Sequence, residues 1–221
     1  MTPSSMAYKL IIFDLDGTLS DSFPWFLSVV SSVVDKHGLR RIDDVETMRG
    51  KTSGEIIAAM NVPRWRLPRI ASDMRKLKSQ SLDKIPLFPG VPELLSALTP
   101  KGLTLALVTS DSEDNARRAL GPSVRFIRHF ACGASLFGKA QKFKRVMRAA
   151  GVSAAATLAI GDEVRDAEAA KAAGIDFAGV AWGYATVDAL AKTAPIAVFG
   201  SASELRAWLV EPRRSLPGKR E

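Results

Sequence analysis

An apolar run, Leu10 to Phe13, ends on two carboxylates, Asp14 and Asp16, that bracket Leu15 and lead directly into Gly17 and Thr18. Side chains of an extended strand alternate faces with a period of two, so the two acids can project together beyond the strand's carboxyl end. Like charges at that spacing repel, and the repulsion must be offset by a metal, a cation or a shared proton. Such a strand end points to a phosphoryl-transfer site.

Three further features sit where apolar runs stop. Thr109-Ser110-Asp111 closes the run Leu103 to Val108 and offers hydroxyls that can donate to a phosphoryl oxygen. Lys139 opens a helical pattern, and Gly161-Asp162-Glu163-Val164-Arg165-Asp166 follows the run Thr157 to Ile160. Each also has a plainer reading. Asp162 and Asp166 can cap the alanine-rich helix that follows, Thr109 or Ser110 can be turn residues, and Lys142 competes with Lys139 for the same role. His37 and His129 stand alone in the sequence and read as surface or packing residues.

Short apolar runs alternating with helical patterns imply parallel strands joined by crossover helices, a doubly wound α/β fold. The strand candidates are 10–13, 103–108, 130–134, 157–160 and 177–181. Helices are expected from Val91, with Pro92 at its start, through the Leu94/Leu95/Leu98 stripe, and from Lys139 through Phe143, Val146 and Met147 to Gly151. The alanine run after Asp166 stops at Gly174 and suits close packing on a sheet.

Residues 21–85 break the alternation, because no convincing strand occurs there. They read as a separate helical unit inserted after the first strand, with helices near 22–38, 53–60 and 66–82. Ile85 to Gly90, with two prolines, forms the stiff return to a core made of 1–20 and 86–221. The polar ends, 1–6 and 212–221, are expected to be disordered.

The chain of 221 residues carries a net charge of +8, so the placement of its basic residues decides whether a polyanion is implied. One group, Arg64, Arg66, Arg69, Arg75, Lys76, Lys78 and Lys84, interleaves with Leu67, Ile70, Met74 and Leu77 at helical spacing. It reads as the solvated face of an amphipathic helix, which argues against nucleic acid. The single cysteine, Cys132, excludes an internal disulfide and reads as a small buried hydrophobe. Apolar stretches stop short of the eighteen or so residues a membrane span needs, and the expectation is a cytoplasmic protein without a membrane partner.

Taken in order, the four features resemble the haloacid dehalogenase superfamily, in particular its phosphatases with a helical cap. The likeness is strongest to phosphoglycolate-phosphatase-like members, through Leu87-Phe88-Pro89-Gly90-Val91, Leu136-Phe137-Gly138-Lys139, Gly161-Asp162-Glu163-x-Arg165-Asp166 and Ala181-Trp182-Gly183-Tyr184. The resemblance implies that the first and fourth motif strands lie side by side at a reversal of strand order, where ligands gather. It further implies a magnesium ion held by Asp14, the backbone carbonyl of Asp16 and Asp162, with Asp166 orienting a bound water. Asp14 becomes the nucleophile and Asp16 the general acid and base. Lys139, Thr109 and Ser110 bind the phosphoryl oxygens, and backbone N–H groups approach them at the Gly17 turn.

Asp16 separates neighbouring chemistries, because the family's dehalogenases and phosphonate-cleaving members lack an acid there. Hydrolysis of a small phosphorylated metabolite is expected; a sugar phosphomutase, or a phosphate-binding protein without turnover, are the alternatives. The helical unit is expected to select the substrate, with Arg49 and Lys51 in the loop Arg49 to Gly54 binding a carboxylate or second phosphate, unless that loop is simply a helix-capping turn.

Overall fold

The computed structural model describes residues 8–41, 49, 51, 53–133 and 138–210. The chain ends expected to be disordered, and Leu136-Phe137 of the third motif, lie outside these. Six strands, β1 (Leu10–Phe13), β2 (Thr104–Val108), β3 (His129–Ala131), β4 (Thr157–Gly161), β5 (Asp176–Val180) and β6 (Ala197–Phe199), form one sheet in the order β3-β2-β1-β4-β5-β6. Every neighbouring pair is parallel. Strand order reverses at β1, so β1 and β4 flank the crevice outside their carboxyl ends. The expected doubly wound α/β fold is thus present, with one strand more than the five read from sequence. Only three residues long, β6 gave no run distinguishable from a loop.

Alternation along β1 shows why both faces are covered. Ile11 and Phe13 point into one core with α4 (Val91–Leu98), α5 (Glu113–Leu120) and α9 (Ala202–Val210). Leu10 and Ile12 point into the other, with α6 (Lys139–Ala150), α7 (Val164–Ala173) and α8 (Val187–Ala191). The strand must therefore be apolar at every position, as a strand buried on both faces is. On α7 the inward positions are Ala167, Ala170 and Ala173, whose small side chains let the helix lie close to the sheet.

Between β1 and α4 the described residues hold α1 (Phe23–Lys36), α2 (Ser53–Ala59), α3 (Leu67–Ser79) and short 3-10 turns, with no strand beyond isolated bridges. The outgoing and returning chains pair with each other. Asp21 N–H donates to the Pro86 carbonyl at 2.9 Å and Phe88 N–H to the Leu19 carbonyl at 3.0 Å. His37 has a packing role as expected: its Nε2 lies 3.0 Å from the Asp73 carboxylate, and Lys36 reaches the same group at 2.8 Å, joining α1 to α3. No helix among the described residues is long and apolar enough to cross a membrane.

Candidate active site

At the end of β1 the Asp14 N–H donates to the Ile160 carbonyl at 3.0 Å, which keeps the chain extended beside β4 as both strands run out of the sheet. The side chain of Asp14 then meets those of Asp162, just past β4, and Asp166, in the first turn of α7. One carboxylate oxygen from each lies within 4.8 Å of the others, and all three residues are buried. Lys139, the first residue of α6, inserts its Nζ 2.9 Å from Asp14 Oδ2 and 2.5 Å from Asp166 Oδ1. Lys142 goes elsewhere, donating to the backbone carbonyls of Thr109 and Gly133 at 2.7 and 2.5 Å. It ties the β2 and β3 loops together; partial burial and the charge of Lys139 push its pKa down to about 8.

Asp162 is fixed from two sides. Thr18 Oγ1 donates to its Oδ1 at 2.7 Å and the Tyr184 N–H to its Oδ2 at 2.8 Å. A carboxylate has about four lone-pair sites, so these bonds orient it and leave capacity for a cation. The glycine after Asp16 is required by this contact: at Gly17, with φ +78°, a Cβ would stand 2.1 Å from Asp162 Oδ2. The Gly17 N–H itself donates to the Ser20 carbonyl at 2.9 Å and closes the turn.

Asp166 serves two purposes. With Glu163 it forms a capping box, its Oδ2 accepting the N–H groups of Asp162 and Glu163 at 3.2 and 3.1 Å. Its Oδ1 meets Lys139, so the capping and cluster readings hold together.

The electrostatics of the cluster are unfavourable without a further cation. Burial, then the charges of Glu163, Asp166 and Asp14, lifts the Asp162 carboxyl well above the carboxylate range. Burial also raises Asp14, against the pull of Lys139. For Lys139 burial opposes the charge, but Asp14 and Asp166 outweigh it and hold the ammonium above its ordinary range. Among the described residues, Lys139 is the one ammonium that contacts Asp14 and Asp166. A hard divalent cation with oxygen ligands fits the donor set of three buried carboxylates.

Asp16 lies apart from the cluster, its side chain 24% exposed. Its partner corrects the reading of the basic segment: Lys78, expected on a solvated face, is 3% exposed. From α3 it reaches into the core, 2.5 Å from Asp16 Oδ1 and 2.8 Å from Asp111 Oδ2. Lys78 follows Met74 by four residues, so the inward stripe of α3 ends on an ammonium. That position was the available signal, and it was hidden by the surrounding basic residues. Asn115 completes the tether, its Nδ2 donating to Asp111 Oδ1 at 2.9 Å and to the Arg75 carbonyl at 3.1 Å.

The remaining expected site residues are placed as follows. Thr109 is buried at the end of β2, its Oγ1 accepting the Asp111 N–H at 3.1 Å, and Ser110 is half-buried beside it. Arg49 donates through Nε to the Tyr184 carbonyl at 2.8 Å and through a terminal nitrogen to the Gly183 carbonyl at 2.9 Å, with its guanidinium over the Phe23 ring. It therefore reaches the same loop that orients Asp162. Gly50 and Thr52 of that segment lie outside the described residues. Cys132 is half-buried, and burial followed by the charge of Glu113 pushes its thiol up to about 11.

Comparison with known proteins places this geometry. The family model described as haloacid dehalogenase-like hydrolase matches residues 11–180. A phosphoglycolate phosphatase of Synechococcus elongatus is 28% identical, the match covering 89% of this chain and 95% of that protein. The tyrosine-protein kinase PtkA of Mycobacterium tuberculosis is 31% identical over 91% of this chain and 72% of its own length. A hydrolase from Pseudomonas syringae shares the fold, with a TM-score of 0.74 at 21% identity over 91% of this chain and 97% of that one.

Two outcomes follow from the cluster and the tether. A carboxyl whose folded pKa is raised stabilises the fold only below its unfolded pKa, and that contribution is lost as pH rises through the folded value. Asp162→Asn can still accept from the Tyr184 N–H, and its new amide N–H₂ must donate to the Thr18 hydroxyl instead of accepting from it. It removes the buried charge, so in chelator at pH 7.5 it should melt above the wild type, the difference shrinking toward pH 4. Magnesium at a hundred times its Kd should stabilise the wild type by about 2.7 kcal/mol and the variant far less; thermal unfolding with and without the ion measures both. For the tether, Lys78→Met leaves Asp111 buried without its counter-charge and should cost about 3–5 kcal/mol. A double-mutant cycle with Asp111→Asn, read by urea unfolding, should give a coupling of about 1–3 kcal/mol.

Proposed function

The chain belongs to the haloacid dehalogenase-like hydrolases, and on that footing we propose that it is a magnesium-dependent phosphatase that hydrolyses a small phosphomonoester through an aspartyl-phosphate on Asp14. The observation that carries this reading is the bridge of Lys139 between Asp14 and Asp166 beside Asp162, at the reversal of strand order. Asp14, Asp162, Asp166 and the carbonyl of Asp16 are the groups that would hold the ion. When bound, magnesium would neutralise charge on the cluster and on the phosphoryl oxygens.

The chain's own residues supply the rest. An Asp14 carboxylate oxygen attacks phosphorus and forms a new O–P bond as the bond from phosphorus to the alcohol oxygen breaks. Asp16, set apart from the cluster, gives its proton to that oxygen. In the second step Asp16 takes a proton from water as the water oxygen attacks phosphorus, releasing inorganic phosphate and restoring Asp14. Lys139, Thr109 and Ser110 hold the phosphoryl oxygens while charge moves between them. Lys78 must yield Asp16 its proton-transfer geometry, so a shift of α3 relative to the core accompanies turnover in this reading.

Residues 21–85 then act as a cap hinged at the paired segments around Leu19 to Asp21 and Pro86 to Phe88, on a core of 1–20 and 86–221. Arg49 stabilises the closed arrangement through the Gly183 and Tyr184 carbonyls. The relative named phosphoglycolate phosphatase supports a small phosphorylated metabolite as substrate. Phosphate release from a panel of small esters should require magnesium and fall at least a thousandfold in Asp14→Asn. Magnesium-independent release, or an Asp14→Asn protein of undiminished rate, would contradict the mechanism.

A further inference from the structure

On the leaving-group side of Asp16 the molecule contains a chamber of about 600 Å³ enclosed by α1, α2 and α3 and floored by the core, within the range of sites that bury whole small molecules. Among the described residues Asp16 and Ser110 line its floor, whereas Asp14, Lys139 and Asp162 do not. It therefore continues from the position of the departing oxygen, away from the carboxylate cluster.

The walls are apolar. Phe26 and Val30 from α1, Ile57 from α2, and Ile70 and Met74 from α3 all face it, and all are only half-buried. In the core the corresponding residues are dry: Leu94, Leu95, Leu105 and Leu107 are 0–1% exposed. Three helices thus turn their apolar stripes toward one another without closing the space between them. Six cations also line it among the described residues: Lys78, Arg165 and Arg41 are paired with Asp16 and Asp111, Glu163, and Asp35, Arg49 donates to the Gly183 and Tyr184 carbonyls, and Lys51 and Arg75 complete the set.

We propose that the substrate is the phosphomonoester of a bulky, largely apolar alcohol, aromatic or polycyclic, and that the chamber receives this alcohol. The inference rests on the phosphatase reading and narrows it: a two-carbon acid such as glycolate would leave the chamber unfilled. Burial of the apolar group supplies binding energy remote from phosphorus, which a small ester cannot provide.

The test compares kcat/KM for 6-methoxynaphthalen-2-ylmethyl phosphate and for phosphoglycolate at saturating magnesium. The aromatic ester should be preferred at least a hundredfold, and Ala71→Trp, which fills the chamber from α3, should reduce that ratio at least tenfold. Phosphoglycolate turned over as well as or better than the aromatic ester would overturn the chamber's role while leaving the phosphatase reading intact. Because the wild-type ratio needs no variant, misfolding of Ala71→Trp does not shield the proposal. If no ester is hydrolysed, the phosphatase reading fails, and calorimetric binding of the same aromatic ester to the wild type judges the chamber alone; absence of binding overturns it too.

Discussion

Three buried carboxylates held within a few ångströms of one another, with one ammonium among them, constrain everything else in this molecule. The burial of Asp14, Asp162 and Asp166 raises the energy of their charged forms, and Lys139 offsets only part of it. A fold that retains such a cluster must hold each acid by means other than charge. Here the means are the strand ladder for Asp14, the Thr18 hydroxyl and Tyr184 amide for Asp162, and the helix cap for Asp166. The same crowding of buried carboxylates is the donor set a divalent ion would take in the proposed function.

The sheet order makes this possible with short-range devices. Because β1 and β4 are neighbours where the order reverses, residues separated by nearly the whole chain arrive on adjacent strand ends. Gly17 then lets the β1 turn approach the Asp162 carboxylate more closely than any side chain would permit. Lys78 extends the network outward, so the helical unit is attached to the core through the Asp16 carboxylate as well as through its paired linkers. Contact between the two parts and the charge on Asp16 are thereby one interaction.

Much of this was legible in the sequence, for a physical reason. Asp14, Asp16, Lys139, Asp162 and Asp166 sit at or near element ends, where apolar runs stop at polar residues, and that punctuation is local. Lys139 and Lys142 open the same helix, so helical spacing could not separate them; the resemblance around Gly138 favoured Lys139, the residue that contacts Asp14 and Asp166. Thr18 and Tyr184 carry hydrogen bonds to Asp162 over long sequence separations that no spacing rule encodes. Lys78 looked like one more solvated lysine, because neighbouring charges mask a single inward position. The chamber was illegible for a related reason: an apolar stripe has the same periodicity whether it packs against its neighbours or lines a space.

The central claim is that Asp14 becomes covalently phosphorylated in this cluster. Mixing the enzyme with magnesium and a turned-over ester, quenching in acid within a single turnover and sequencing the peptides by mass spectrometry tests it directly. The account predicts a phosphoryl group on the peptide containing Asp14, attached to that carboxylate. Substrate turnover with that peptide unmodified at every quench time, or with the phosphoryl group on another residue, would contradict it.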